Sequence, residues 1–402
     1  MVSVSLLEIQ AAAERLHGVI LDLPVGGARW LSDAVGGPVV LIPENLQRAG
    51  SFKIRGAFNR IALLSDEEKA RGVVAASAGN HAQGVAVAAQ LLGVHATVFM
   101  PTGASIPKVS ATRGYGADVE FAGATIDEAL SAARAFAERT GAVFIHPFDH
   151  NDIIAGQGTL GLEILAKVPD VRTIVVCTGG GGLLAGVATA VKALRPDVRV
   201  IGVQAAGAAA YPPSLAAGAP IALELMSTMA DGIAVGKPGE LTFELIREHV
   251  DQIVTVSEES LSKALLMLLE RAKLVVEPAG AAAFAAVMDA PTSFEAPVAV
   301  ILSGGNIDPL LLLRVIRHGL VAAGRYLTLK FRMKDLPGSL SSLLACISDA
   351  GANVVEIEHD RIDPRLGVDE VDIVIQVETR GAEHGERVRA ALTELGFPST
   401  VL

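Results

Sequence analysis

Residues 173–194 read TIVVCTGGGGLLAGVATAVKAL, a short apolar run, four consecutive glycines and a second apolar run. The first run is rich in β-branched residues and has the length of a buried strand, whereas the second has the length of a helix. Gly179 to Gly182 therefore lie at a strand-to-helix junction, where several backbone N–H groups converge beside a helix N-terminus. This arrangement predicts a phosphate-binding loop, and the alternative is a flexible turn. The loop lacks the lysine–serine ending of a nucleotide P-loop and the acidic residue that follows a dinucleotide fingerprint.

The same alternation of strands and helices extends from Gly72 to about Asn306. Apolar runs that end in glycine or polar turns predict further strands, namely GVVAASAG, ATVFMP, ADVEFAG, AVFIHPF, RVIGVQA, QIVTVS and VAVILSGGN. Helical periods such as DEALSAARAFAER and EESLSKALLMLLERAK lie between them. Strands that are apolar on both faces are expected where helices cover both sides of a parallel sheet. The predicted fold class is α/β with a doubly wound sheet, in which ligands bind at the carboxyl ends of the strands.

The pattern changes near Arg325, after a helix that we predict over Pro309–Ile316. Residues 326–402 read strand, turn, helix, strand, strand, helix and a short terminal strand. This βαββαβ order predicts a ferredoxin-like unit. The boundary between the two units is expected in residues 317–325.

Composition and charge exclude several classes of function. Of the 402 residues, 44 are acidic and 33 are basic, and the net charge of -11 argues against binding to nucleic acid or to an anionic membrane surface. Cys177 and Cys346 are the only cysteines, which argues against a disulfide framework, and we interpret Cys177 as a small core residue. The N-terminus reads as an amphipathic helix and not as a signal peptide, and no apolar run reaches the ~18 residues of a membrane span. We therefore expect a soluble, cytoplasmic protein.

A lysine in an apolar setting is the first candidate for covalent chemistry. Lys53 lies between Phe52 and Ile54 in the segment SFKIRG, just before a predicted helix. Partial burial lowers the pKa of a lysine amine, which is how such an amine becomes a Schiff-base nucleophile. The alternative is a surface lysine whose amine reaches solvent.

Two more segments place small and polar residues at strand ends. Residues 77–84, SAGNHAQG, cross from a strand to a helix, and the N–H groups of that helix start suit a carboxylate. Alternatively, Ser77 or Asn80 only caps the helix. Residues 303–306, SGGN, close the last strand.

Taken together and in this order, these four segments resemble the threonine and serine dehydratases, which are fold-type-II enzymes that use pyridoxal 5′-phosphate (PLP). The resemblance covers essentially the whole chain and includes ENLQRAGSFKIRGA, HPFDHNDIIAGQGTLGLEI, DGIAVGKPG and VVEPAGA. It implies a lyase that converts L-threonine, and L-serine, to 2-oxobutanoate or pyruvate and ammonia. It also implies a catalytic domain over residues 1–316, with a small α/β subdomain (about residues 46–145) inserted in the large one. A linker over residues 317–325 and a regulatory domain over residues 326–402 would follow.

The resemblance further implies a role for each matching residue. Lys53 would hold the cofactor covalently and move the α-proton of the substrate. The other implied cofactor contacts are Phe52 at the ring, Asn80 at the 3-hydroxyl, Gly179, Gly180, Gly181, Gly182 and Leu183 at the phosphate, Ser303 at the pyridine nitrogen and Glu277 nearby. Ser77, Asn80 and His81 would surround the substrate carboxylate. The alternative for Glu277 is a helix-start carboxylate that interacts with the helix dipole. A neutral serine at the ring nitrogen leaves that nitrogen largely unprotonated, which favours prompt elimination over transamination or racemisation.

Departures from the related enzymes refine these expectations. Ala78 stands where similar serine racemases carry a serine that acts as an acid/base on the opposite face of the cofactor. Gln204 and Ala210 stand where those relatives bring two carboxylates to a metal, so we expect that site to be absent or altered. His146 and His150 are four residues apart, but the proline between them prevents a regular helix from presenting both to one metal ion.

The C-terminal unit resembles an ACT domain, in which the loop after the first strand commonly binds amino acids at a dimer interface. The matching residues here are Asp335, Leu336, Pro337, Gly338, Ser339 and Leu340. Glycine lets a ligand approach the backbone, and the helix start offers N–H groups to a carboxylate. The resemblance implies an amino-acid effector and a homodimer or homotetramer. The alternative is a dimerisation module without an effector.

Two other functions remain open from the sequence. One is a serine racemase or another fold-type-II PLP enzyme, against which Ala78 argues. The other is a non-catalytic amino-acid sensor, against which the retention of Lys53 and the glycine loop argues. The preference between threonine and serine, and a biosynthetic role (toward isoleucine) as against a catabolic one, also stay open.

Overall fold

The computed structural model describes residues 4–402. Its chain forms two compact units, a first unit that extends to Leu311 and a second over Leu312–Leu402. Each unit has its own sheet or sheets and its own hydrophobic core. Among the described residues, no helix is both long and apolar enough to cross a membrane.

Two separate sheets form the first unit. Their strands are β1 (Gly26–Gly27), β2 (Val39–Ile42), β3 (Val73–Ala76), β4 (Ala96–Met100), β5 (Asp118–Phe121), β6 (Val143–Phe144), β7 (Thr173–Cys177), β8 (Arg199–Ala205), β9 (Gln252–Val256) and β10 (Val298–Ile301). The larger sheet has the order β1-β2-β10-β7-β8-β9 and is parallel except for β1 at its edge. The smaller sheet, β5-β4-β3-β6, is entirely parallel. Its strands lie within the predicted subdomain at about residues 46–145.

Helices cover these sheets, as the apolar strands require. They are α1 (Leu6–Leu16), α2 (Arg29–Val35), α3 (Lys53–Ala62), α4 (Asp66–Arg71), α5 (Asn80–Leu92), α6 (Ile106–Gly114), α7 (Ile126–Thr140), α8 (Asn151–Lys167), α9 (Gly182–Leu194), α10 (Tyr211–Ala217), α11 (Glu240–His249), α12 (Glu258–Met267) and α13 (Pro278–Asp289). The next helix, α14 (Pro309–Ala322), begins at the end of the first unit, and most of it belongs to the second. Single 3₁₀ turns occur at Glu44–Leu46, Arg48–Gly50, Ala206–Ala208, Asp231–Ile233 and Pro291–Ser293, and a π turn at Leu268–Ala272 extends α12.

Glycines permit close helix packing between α8 and α9 in the first unit. A side chain on Gly186 of α9 would collide with the backbone of Gly158 and with the carbonyl of Ile154, both on α8. The two helices therefore pack backbone against backbone, which is compatible with glycine alone at these positions. This contact holds the helix that follows the glycine loop.

The second unit is a four-stranded antiparallel sheet with helices, as predicted for a ferredoxin-like unit. Its elements are β11 (Tyr326–Lys334), α15 (Ser339–Asp349), β12 (Asn353–Asp360), β13 (Glu370–Glu378), α16 (Ala382–Glu394) and β14 (Ser399–Val401). The sheet order β12-β13-β11-β14 places the first and third strands of the unit side by side. Its core is aliphatic apart from Phe331 and includes Leu343 and Ile375.

The predicted end of the helix before this unit is wrong. That helix, α14, continues from Ile316 to Ala322, so most of the expected linker at residues 317–325 is helical. Gly319 does not break the helix, and the chain leaves it only near Gly324, which has a φ of 64°. A single glycine in a helix interior lowers helix stability without ending the helix, whereas a left-handed glycine ends it.

Candidate active site

Lys53 is the first residue of α3 and lies at the carboxyl end of the larger sheet. The preceding Phe52 fixes this position, because its N–H donates to the carbonyl of Ser303 (3.1 Å), which follows β10. The Lys53 amine donates to the carbonyl of Pro147 (2.8 Å). Desolvation of the amine lowers the pKa of Lys53 to about 8, against the opposing influence of Cys177 and Glu277. The amine is therefore partly neutral near physiological pH, as a nucleophile or base requires.

The glycine loop after β7 presents free backbone donors. Among the described residues, none accepts a hydrogen bond from the backbone amides of Gly179, Gly180, Gly181 and Gly182. Gly181 is the N-cap of α9 and has a φ of 99°, a conformation that favours glycine. Buried amides without partners are costly, so a loop that keeps several of them fits an anionic ligand.

Residues from distant parts of the chain hold this loop, and sequence analysis did not identify them. The hydroxyls of Tyr211 and Thr242 both donate to the carbonyl of Gly180, at 3.1 and 2.7 Å. A side chain on Gly180 would overlap the ring of Phe148. The carboxylate of Asp149 accepts from three amides at the start of α11, at 3.0–3.1 Å, and so fixes the helix that carries Thr242. No local sequence pattern signals contacts between residues this far apart.

A short turn connects β3 to α5 and carries the predicted carboxylate site. The N-cap of α5 is Gly79, without a side-chain cap, so neither Ser77 nor Asn80 caps the helix. Ser77 instead accepts from the amide of Gly79 at 3.1 Å through its hydroxyl oxygen. The first backbone N–H groups of α5, those of Asn80 and His81, donate to no acceptor among the described residues.

The side chain of His81 is buried and engaged in the protein interior. Its Nε2 lies 2.9 Å from the carbonyl of Ile145 and must donate to it, since a carbonyl only accepts. Burial, with smaller contributions from Lys53 and His146, lowers the pKa of His81 to about 3. The ring is therefore neutral at physiological pH, and its side chain supplies no cation for a carboxylate.

Asn80, Glu277 and Asn306 form a hydrogen-bonded group next to Gly304. The side-chain amide of Asn80 donates to the Glu277 carboxylate. The side-chain amide of Asn306 donates to the side-chain oxygen of Asn80 at 2.8 Å. Glu277 is the N-cap of α13, but its side chain makes no capping bond. Burial raises the pKa of Glu277 to about 7, and Asp231 adds to this shift while Asn80 opposes it. Near neutral pH the Glu277 carboxyl, which accepts from Asn80, is therefore partly protonated.

Ser303 lies just beyond β10, which pairs with β7, the strand before the glycine loop. Its hydroxyl oxygen accepts from the Cys177 thiol, with 3.0 Å between sulfur and oxygen. Both side chains are buried, and so is Leu183, which follows the glycines. Cys177 is thus a core residue, as predicted, that also contacts a candidate site residue.

The residues considered for metal binding are engaged in other contacts. The Gln204 side chain accepts from the amide of Tyr211 at 2.9 Å and donates to the carbonyl of Ala208 at 3.4 Å. The Nδ1 atom of His146 accepts from the amide of Asp149 at 2.8 Å, and that of His150 accepts from the amide of Asp152 at 3.1 Å. Ala210 is a buried apolar side chain without a ligand atom.

A fully buried arginine, also missed by sequence analysis, anchors the helix that begins at Lys53. Arg55 donates to both oxygens of Glu44, each at 2.8 Å, and to both oxygens of Glu163, at 2.6 and 2.9 Å. It also donates to Thr159 of α8 at 3.1 Å. Such bidentate pairs are geometrically specific, so they tie the start of α3 to α8 and to the turn after β2.

The loop predicted to bind an effector lies in the second unit, between β11 and α15. Gly338 is the N-cap of α15 and has a φ of 93°, and Leu336 is exposed. Asp335 pairs with Arg361 at 2.7 Å, which lowers the pKa of the Asp335 carboxyl. The loop is accessible, and its aspartate already has a cationic partner.

Comparison with known proteins places this geometry in context. The family described as "Pyridoxal-phosphate dependent enzyme" matches residues 19–304. An L-threonine ammonia-lyase of Thermotoga maritima is 46% identical over 394 residues, which are 98% of each chain. The processed form of threonine deaminase isoform 2 from Solanum lycopersicum has a TM-score of 0.76 and 38% identity, over 79% of this chain and 87% of that one. Maize serine racemase has a TM-score of 0.75 and 36% identity, over 80% and 99%.

Proposed function

We propose that this chain, which belongs to the family of pyridoxal-phosphate dependent enzymes, is an L-threonine ammonia-lyase that forms 2-oxobutanoate and ammonia. The observation that carries the proposal is a desolvated lysine amine at the same sheet edge as a loop of unpartnered glycine amides. Relatives named L-threonine ammonia-lyase align over nearly the whole chain, which supports the same reaction here. L-Serine, with the same β-hydroxyl, is the second expected substrate.

The described residues offer hydrogen-bond donors and an amine at positions that suit the groups of PLP. The amides of Gly179–Gly182 lack protein acceptors and suit the phosphate, and Lys53 suits the aldehyde. Phe52 lies beside this amine, with its ring centre 5.2 Å from the Lys53 nitrogen, and suits an aromatic ring. Asn80 supplies a polar group for the 3-hydroxyl and Ser303 one for the pyridine nitrogen, and Glu277 contacts Asn80. When bound, PLP supplies an electron sink that stabilises negative charge at the substrate α-carbon.

Lys53 is the proposed proton carrier. Its amine has a pKa of about 8 because it is desolvated, so it accepts and returns a proton near neutral pH. His81 is neutral and its Nε2–H is bonded to a backbone carbonyl, so it does not compete for this role. The α-proton of the substrate is therefore assigned to the nitrogen of Lys53.

The start of α5 is the proposed site for the substrate carboxylate. The backbone N–H groups of Asn80 and His81 have no acceptor among the described residues. The N-terminus of a 13-residue helix favours an anion. The Ser77 hydroxyl lies at the same turn and accepts from Gly79, which leaves its own hydrogen available to an acceptor. The side chain of His81, unlike its amide, is not part of this proposal.

The test is to purify the protein with PLP and supply L-threonine. Formation of equal amounts of 2-oxobutanoate and ammonia, together with visible absorption of lysine-bound PLP, is the expected result. Absence of both products with a cofactor-loaded protein would overturn the proposed reaction. Chiral analysis of an L-serine reaction tests the second candidate, a racemase, which the maize structure brings into consideration.

The second unit is the basis of a proposal on assembly and regulation. We propose an ACT-type regulatory unit over residues 326–402, with an amino-acid effector at Asp335–Leu340, because the ferredoxin-like order and the accessible loop suit that role. A homodimer or homotetramer in the cytoplasm is proposed with it, and the two free cysteines are in keeping with a reducing compartment. Light scattering of the purified protein measures the oligomeric state.

A further inference from the structure

The contact between Cys177 and Ser303 joins two neighbouring strands at the candidate site. Cys177 is the last residue of β7, and Ser303 lies just beyond β10, which pairs with β7. The thiol sulfur is 3.0 Å from the serine hydroxyl oxygen, and the thiol is the donor. Cys177 is 4% exposed and Ser303 is 2% exposed, so water does not compete for this contact.

The contact with Cys177 leaves the hydrogen of the Ser303 hydroxyl without a strong acceptor. A serine hydroxyl has one hydrogen and two lone pairs, and here one lone pair accepts from Cys177. The Cys177 sulfur is the one acceptor found for the serine's own hydrogen among the described residues, and a thiol sulfur accepts only weakly. A nitrogen or oxygen of a bound group would be a stronger acceptor for this buried hydrogen.

The thiol is protonated over the physiological range. Desolvation raises the pKa of Cys177 to about 11. A protonated thiol whose hydrogen is directed to Ser303 occupies one side of that oxygen. The serine hydrogen is then confined to the remaining directions.

We propose that Cys177 is a positioning residue, which holds the Ser303 hydroxyl so that its hydrogen is donated to the pyridine nitrogen of PLP. This inference rests on the proposed function, since it requires the cofactor. A donor at that place suits a ring nitrogen that carries no proton of its own. Cys177 thereby acts through Ser303 on the protonation state of the ring.

Infrared spectroscopy tests the contact directly, because the S–H stretching band shifts to lower frequency when the thiol donates a hydrogen bond. The measurement uses the Cys346→Ser protein, in which Cys177 is the one remaining thiol. We expect a bonded-thiol band that moves to the free-thiol frequency in Cys346→Ser/Ser303→Ala. Loading with PLP should shift the band further in the protein that retains Ser303, since donation by a hydroxyl makes its oxygen a better acceptor.

Three variants separate positioning from packing. Cys177→Ala removes the donor and should weaken PLP binding about two- to fivefold, which is the change in affinity expected from the loss of one weak hydrogen bond. Cys177→Ser keeps a donor and should restore most of the affinity. Val176→Ala removes volume from the same buried strand without touching the thiol, and should leave the PLP dissociation constant unchanged.

The outcomes of these measurements are distinguishable. A protein that shows no absorption of lysine-bound PLP contradicts the proposed function itself. A protein that binds PLP, but whose thiol band is the same with and without Ser303, overturns the positioning role. Equal loss of affinity in Cys177→Ala, Cys177→Ser and Val176→Ala also overturns it, because the effect would then be one of packing.

Discussion

At the scale of single residues, burial shifts the pKa values of the site residues more than neighbouring charges do. Desolvation lowers the pKa of Lys53 to about 8, raises that of Glu277 to about 7 and lowers that of His81 to about 3. In each case the charged form is penalised. The result near neutral pH is an amine, a carboxyl and an imidazole that are partly or wholly uncharged. Lys53 and Glu277, whose pKa values lie near neutral pH, exchange protons at low energetic cost, whereas His81 stays neutral.

Replacement of Lys53 by alanine should abolish both cofactor attachment and elimination. The variant loses the nucleophile and the proposed base, and we expect turnover of L-threonine to fall at least about a hundredfold. Far-ultraviolet circular dichroism should be unchanged, since Lys53 as a whole residue is only half-buried. The visible spectrum of the PLP-loaded protein checks the attachment. Turnover close to that of the wild type would contradict the assignment of Lys53.

Glu277 should make the cofactor-free protein less stable as the pH rises. Its pKa is about 7 in the folded chain, against an ordinary value of 4.5 for a glutamate in water, so the folded state retains the proton longer. The contribution is complete below about pH 4.5 and is lost as the pH passes through 7, for a total of roughly 3 kcal/mol. Urea unfolding at pH 5 and at pH 8 measures this difference in the free energy of unfolding. Glu277→Gln keeps an acceptor for Asn80 and should flatten the dependence, whereas the exposed Glu120→Gln should not.

Ala78 should limit the enzyme to elimination. Racemisation needs a proton donor on the face of the cofactor opposite Lys53, and a methyl group cannot donate a proton. The wild-type protein should therefore form little D-serine from L-serine. Ala78→Ser adds a hydroxyl and should raise D-serine formation, which chiral chromatography detects, whereas the exposed Ala124→Ser should not. Substantial D-serine from the unmutated protein would show that another residue serves that face.

At the scale of elements, the strand–loop–helix junction at β7 and α9 depends on a left-handed glycine. Gly181→Ala places a methyl group at a φ of 99° and against the Tyr211 hydroxyl, so the loop must shift. A strain of about 1–3 kcal/mol should weaken PLP binding roughly five- to hundredfold. Gly103→Ala, where an added methyl meets no atom within 4 Å, is the matched control. Cofactor titration of both variants measures the difference, and equal affinities would contradict a phosphate role for the loop.

The elements differ in how far the sequence predicts them, and the reason is the range of the interactions. The glycine loop and the ferredoxin-like unit follow from local patterns, because strand length, glycine runs and element order are visible along the chain. The predicted end of α14 is too early, since the helix continues through Gly319, which lacks the left-handed backbone that ends helices. The Arg55–Glu163 ion pair joins residues 108 apart, and the Asp149 contacts with α11 join residues 91–93 apart, so only the folded chain reveals them.

At the scale of the whole molecule, the site and the proposed regulatory unit occupy separate parts of the chain. Every proposed PLP contact precedes Asn306, and the second unit begins at Leu312 and packs around its own core. This separation allows catalysis and regulation to be tested independently by truncation.

Removal of the chain from Arg325 onward should leave an active but unregulated enzyme. The cut preserves α14, which ends at Ala322, and removes the ferredoxin-like unit completely. The truncated protein should bind PLP and release ammonia from L-threonine, because each group assigned to catalysis remains. Initial rates with and without L-isoleucine or L-valine measure the response of both proteins, and thermal unfolding shows whether the truncated chain is folded. If the truncated enzyme keeps the effector response of the full chain, the regulatory site lies in the first unit. If the full chain responds to neither amino acid, while light scattering shows that only the full chain forms an oligomer, the second unit serves in assembly and the effector proposal fails for both amino acids.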